Sequence, residues 1–182
     1  MKLSCIFLIF ILFFPLGANA YDERHIVALY KQGAYEDACK QGMSQYFQGN
    51  KEAHFAAMVG MACARVDLIN PLGILQRNLV RTPTLRSTAT FFTTLLLAKR
   101  LLYQHFVDGT PIEGLVLPKF DHVLTQVFDR MSRGEYERLP GGVIRIETPQ
   151  RRYLLSIAGS APQWLFIDEY AGAEMLKRHR YQ

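Results

Sequence analysis

An α+β fold, with antiparallel helical hairpins first and a small antiparallel β-meander last, is predicted by a change of hydrophobic period along the chain. From residue 22 to about 133, apolar side chains recur at helical spacing and turn residues cut the segment into short units. Beyond Pro140-Gly141-Gly142 the period falls to two, as in VIRIET at 143–148. The links Thr148-Pro149-Gln150 and Ala171-Gly172 are short, and short links permit only antiparallel returns.

Each element has its own signal. Ile26, Leu29 and Tyr30 mark one face of a helix over 22–32, which Gly33 ends. A second helix, 35–47, aligns Tyr35, Ala38, Cys39 and Met43 before Gly49-Asn50 breaks it. The third, 51–66, carries Ala53, Ala56, Ala57, Gly60, Ala62 and Ala64, small side chains that let neighbours approach and mark it as central in its layer. Asn70-Pro71 and Thr82-Pro83 each put a capping side chain before a proline suited to the first helical position, opening helices over 71–80 and 83–107. Thr110-Pro111-Ile112-Glu113 has capping-box spacing but is cut short by Gly114. Leu117-Pro118 is expected to open a last helix to 131, with Phe120, Val123, Leu124, Val127 and Phe128 on its apolar face. Strands are expected over 143–148, 151–157 and 163–170, with Trp164 packing against the helices. The run EMLKRHRY, 174–181, suits helix or strand by propensity, and the two-residue return favours a strand.

The first twenty residues, MKLSCIFLIFILFFPLGANA, combine a lysine, an apolar run ending at Pro15-Leu16-Gly17, and Ala18-Asn19-Ala20. This is the pattern of a secretory signal peptide cleaved before Tyr21, and the run is too short for a membrane anchor. The stretch 89–106 is interrupted by Lys99-Arg100 and reads as a buried helix, leaving no transmembrane span after cleavage. The expected organisation is a signal peptide at 1–20, a helical domain at 21–134 and a small sheet at 141–182 packed on the helices. A periplasmic or secreted location follows from the leader.

The chain has a formal charge of +5, lowered by one when Lys2 leaves with the leader. Its basic residues are dispersed except at Arg151-Arg152 and Lys177-Arg178-His179-Arg180. In an exported protein the basic tail argues for an acidic partner or an anionic lipid surface, not nucleic acid.

Gly33, Tyr35 and Ala38 resemble the turn glycine, aromatic and small residue of a tetratricopeptide-like helical hairpin, over about 34 residues. No second copy stands in register. The stretches MVGMACARVDLINPLGILQRNL and FIDEY resemble uncharacterised exported proteins of epsilonproteobacteria. That resemblance implies a periplasmic setting and no activity.

Candidate chemistry is sparse. His25, His54, His105, His122 and His179 form no i, i+4 pair, and no cysteine has a partner at zinc spacing, so no metal or cofactor is expected. Ser156 and Ser160 lack the glycine spacing of a nucleophile elbow, and no catalytic residue is assigned. After cleavage two cysteines remain, Cys39 and Cys63, in a compartment where disulfides persist. A structural disulfide between the second and third helices is the leading reading; buried thiols, or a reactive or metal site with His54, are the alternatives.

The expected function is non-enzymatic: binding another envelope protein or peptide through a helical groove or sheet edge, with Lys177, Arg178 and Arg180 as candidate contacts. The rival is a small envelope hydrolase in which Asp121, His122 and Asp168 meet between helices and sheet.

Overall fold

The computed structural model describes residues 22–182, and the expected leader at 1–20 lies outside the described residues. Among the described residues, six α-helices precede a five-stranded antiparallel sheet: α1 (Glu23–Lys31), α2 (Tyr35–Gln48), α3 (Ala53–Arg65), α4 (Leu72–Leu75), α5 (Pro83–Asp108), α6 (Val123–Ser132), β1 (Glu137–Arg138), β2 (Ile144–Glu147), β3 (Arg152–Ala158), β4 (Trp164–Ala171) and β5 (Glu174–Tyr181). The strands lie in chain order, each paired with the next, as a meander.

Local chemistry accounts for the helix boundaries. Asp22 caps α1 by accepting the His25 amide at 3.0 Å, and Thr82 caps α5 by accepting that of Leu85 at 3.2 Å. Pro83 then occupies the first turn of α5, where its missing N–H costs nothing. The α2–α3 hairpin is closed by a disulfide between Cys39 and Cys63, whose Cα atoms are 4.8 Å apart.

Small residues set the helix spacing. Gly60 of α3 faces Phe92 of α5 so closely that a Cβ there would lie 2.3 Å from the ring. Phe92, Leu95, Ala98 and Leu102 of α5 are fully buried, and they share one apolar cluster with α3, α6 and the inner side of the sheet. That inner side presents Ile144, Ile146, Tyr153, Leu155, Leu165, Ile167 and Tyr181. Burying an aliphatic or aromatic side chain of this size contributes about 1.5–3 kcal/mol, so the cluster rather than propensity holds the two layers together.

Three expectations are corrected. The helix expected from 117 starts only at Val123, because His122 supplies the cap: its Nδ1 accepts the Leu124 amide at 3.2 Å. Phe120 therefore lies before the helix, edge-on to Phe91 at 5.0 Å. The helix expected over 71–80 is one α turn followed by a 3-10 turn, Gln76–Asn78. Asn70 does not cap it, since its side-chain oxygen accepts a hydrogen bond from Lys99 instead. The sheet gains a short first strand, β1, paired to β2 through Glu137–Arg145 and Arg138–Ile144.

Candidate functional site

The end of α3 places the first functional side chain. Arg65 is the last helical residue; the Asp67 amide then donates to Ala64 O at 3.3 Å and the Leu68 amide to Cys63 O at 3.0 Å. This is a Schellman stop, in which the residue at the Asp67 position takes a left-handed conformation and is usually glycine. Asp67 adopts φ 64°, a conformation that costs an L-residue about 1–2 kcal/mol and that aspartate tolerates better than most. The carboxylate offsets that cost.

It projects under the edge strand into a buried cluster. His179 Nδ1 lies 2.9 and 3.0 Å from the two Asp67 oxygens, and the Tyr181 hydroxyl donates to the same carboxylate at 2.5 Å. Lys177 completes the set at 2.7 Å. The other His179 nitrogen is 3.4 Å from Glu169, which is held in turn by Arg151 at 2.9 Å. Period-two alternation brings this about, since Lys177, His179 and Tyr181 share the inner face of β5 and Glu169 pairs with Lys177 across the ladder. Burial by itself pushes the Asp67 carboxyl up, but the hydrogen bonds from His179, Lys177 and Tyr181 and the His179 charge outweigh it and hold the group at about 2. Burial, then the Asp67 charge, pushes the Tyr181 hydroxyl well up, so it stays a donor.

His122 lies at the same junction. Its Nδ1 accepts the Leu124 amide, so Nε2 carries the proton that donates to Ala64 O at 3.3 Å. Burial pushes this imidazole down, toward the neutral form. It joins the last turn of α3 to the first turn of α6.

Beside the cluster, residues 66–71 and β5 border a cleft of about 290 Å³ whose walls include Asp67, Lys99, Trp164, Arg178 and Arg180. Lys99, on α5, is only 4% exposed and donates to Asn70 Oδ1 and to the backbone oxygen of Gln182. Burial, then the neighbouring Arg100 charge, lowers its pKa. A second cleft, about 460 Å³, lies between α6 and the β2–β3 turn, with Asp121, Gln126, Arg151, Tyr153 and Glu169 on its walls.

The candidate residues separate. Lys177 turns inward to Asp67, whereas Arg178 and Arg180 lie on the outer side of the sheet. Arg178 grips Asp168 with two hydrogen bonds, at 2.6 and 2.7 Å, and Arg180 stacks over Trp164 at 4.3 Å. Asp168 is thus on the opposite face of the sheet from Glu169, and the Asp121–His122–Asp168 arrangement does not form. Trp164 stands outside the apolar cluster, under Arg180 instead of under the helices, because its register partner Ala158 and neighbour Phe166 also face outward. Sequence reasoning missed Asp67; the available signal was a carboxylate flanked by Val66 and Leu68 at a helix end without glycine.

Chemically the cluster is a clamp. Both His179 nitrogens face carboxylates in a buried site, and the Tyr181 ring stacks beside the imidazole. Among the described residues no group of three His, Cys, Asp or Glu side chains is arranged to hold a metal ion, and no helix is long and apolar enough to cross a membrane. Comparison with family models, curated proteins and solved structures returns no match to this chain.

Proposed function

We propose that this protein is an exported, non-enzymatic binding protein of the cell envelope that takes an extended peptide of another protein along the outer edge of β5. The observation that carries this reading is that, among the described residues, β5 pairs with β4 alone, leaving an eight-residue edge beside the cleft formed with residues 66–71. Strand addition uses such an edge, with backbone hydrogen bonds supplying affinity and neighbouring side chains selecting the ligand. The clamp on Asp67 holds the edge strand in place by tying Lys177, His179 and Tyr181 to the end of α3.

Charge argues for an acidic partner over a second copy of the chain. On the edge strand Lys177 and Arg178 are met by Asp67 and Asp168, so Arg180, with no carboxylate partner among the described residues, is the cation left for a partner, and Glu174 is the strand's one acid. Two copies would bring this basic run against itself, and like charge along an edge is a known device against self-association. An acidic strand meets complementary charge, and exposed Leu68, Met175 and Leu176 offer apolar contact along the same border. The disulfide accords with export, since such bonds persist outside the reducing cytoplasm.

A library of extended peptides alternating acidic and apolar residues tests the reading by fluorescence anisotropy, with amide exchange locating the bound site. Binding should protect β5 amides and weaken about tenfold in Arg180→Glu, the effect of one charge reversal at a partly exposed site. Protection confined to α1 and α2, or turnover of the peptide, overturns it.

A further inference from the structure

The helices cover one side of the sheet, and the other side carries a pattern of which the edge-binding reading uses only Arg178, Arg180 and Met175. Along β4 the outward positions are Trp164, Phe166, Asp168 and Tyr170. Each ring there carries a guanidinium: Arg180 lies 4.3 Å from Trp164, Arg178 5.5 Å from Phe166 and Arg152 4.6 Å from Tyr170. At about 3.3 Å per residue, the row from 164 to 170 is about 20 Å long. None of the three rings belongs to the apolar cluster between sheet and helices.

The three arginines differ in what else they hold. Arg178 is neutralised by Asp168. Arg152 and Arg180 have no carboxylate partner among the described residues, and the buried Nε of Arg152 has no hydrogen-bond partner. A guanidinium that lies against a ring does not spend its N–H groups on that contact, and its terminal N–H groups form a fork that matches phosphate oxygens. Met175 pairs with Tyr170 at the end of the row and is 51% exposed, adding an apolar contact.

Shape selects the partner. Arg152, Phe166 and Tyr170 line neither of the clefts described above, so neither cleft extends over the middle of this row to seat a peptide there. A base-stacking polymer needs open rings, and these rings already carry guanidinium groups. A planar array of phosphates needs neither groove nor open ring. Trp and Tyr side chains favour the headgroup level of a bilayer, and arginines favour its anionic phosphates.

We propose that the outer face of β3, β4 and β5 docks on an anionic phospholipid surface, Arg152 and Arg180 binding lipid phosphates while Trp164, Tyr170 and Met175 sit among the headgroups. The two readings share Arg180 and Met175, but Arg152 lies two strands away from the β5 edge, so the Arg152 part of this contact is separate from peptide binding. A protein resting on the membrane by this face would keep the edge strand free at its side.

Trp164 is the only tryptophan of the chain and reports directly on the contact. Purified protein is titrated with vesicles of equimolar phosphatidylglycerol and phosphatidylcholine, and with vesicles of phosphatidylcholine alone. Binding, measured by co-sedimentation, should occur only to the anionic vesicles, with a blue shift of Trp164 emission and loss at high salt. Arg152→Ala and Arg180→Ala should each weaken it about fivefold, the worth of one basic residue near such a surface. Arg152→Lys, which keeps the charge, should retain most of the binding, and circular dichroism checks that each variant folds. Equal binding to both vesicle types, no binding to either, or indifference to the double alanine variant overturns the proposal. Tighter binding of a single-stranded oligonucleotide, with quenching of Trp164, overturns it in favour of a nucleic-acid face.

Discussion

Replacing Asp67 by Asn removes a charge and nothing else of consequence to the backbone, since asparagine also tolerates the left-handed conformation at φ 64°. The wild-type carboxyl sits at about 2 against an ordinary 3.8, and its side chain is 10% exposed, so solvent screening takes little from the effect. A folded-state value below the unfolded one contributes stability that is complete above the unfolded value and disappears as pH falls through the folded one. The contribution at pH 5 is about 2–3 kcal/mol; about half remains at pH 3 and about a sixth at pH 2. Urea unfolding of wild type and Asp67→Asn, with the disulfide intact, measures this at each pH between 2 and 5. The wild-type advantage should be full at pH 5 and nearly gone at pH 2. Parallel curves would refute the reasoning, because they would mean that the carboxylate's charge does not hold the edge strand to α3. Asp67→Gly sharpens the point: it relieves the backbone cost, yet it should still be less stable than wild type at pH 5.

Other outcomes follow from packing and chain connectivity. Gly60→Ala should destabilise by about 1–3 kcal/mol through overpacking against Phe92, and Phe92→Leu in the same chain should recover part of the loss in denaturant midpoint. Replacing Cys39 and Cys63 together by Ala should cost about 3.5 kcal/mol for a closed loop of about 25 residues, read as a shift of the urea midpoint. Thiol labelling of the unreduced, denatured protein should detect neither Cys39 nor Cys63, and both after reduction. Thr82→Ala removes the cap of α5 and should lower stability by about 1 kcal/mol in the same assay.

Local signals made much of the fold legible. Gly33 and Gly49 cut the helical hairpins where the chain turns, Thr82-Pro83 opens the longest helix, and the change to period two at 143 announces the sheet. The signals failed where two local solutions were available. Pro118 suits a first helical turn, but His122 caps the helix four residues later and leaves Phe120 free to meet Phe91. Asn70 suits a cap, but a buried lysine from α5 takes its oxygen. A two-residue strand such as β1 has too little sequence to carry a period at all.

The site was legible only in part. The pairing of Cys39 with Cys63 follows from two adjacent antiparallel helices, a short-range relation that spacing along the chain encodes. Asp67 stands 112 residues from His179 and 114 from Tyr181, and no local pattern records their meeting. The alternation of EMLKRHRY sorts its side chains between two faces but not which face meets the helices. That choice turned Lys177 inward to a carboxylate and left Arg180 outside on a tryptophan. The sequence by itself determined the order of helices and strands, most of their bounds and the leading reading of the helical staple, because these depend on neighbours within a few tens of residues. Tertiary structure alone decided the clamp, the place of β5 at the end of the described sheet and the arginine-covered face, because burial of a sheet on helices assigns each side of a strand to the core or to solvent.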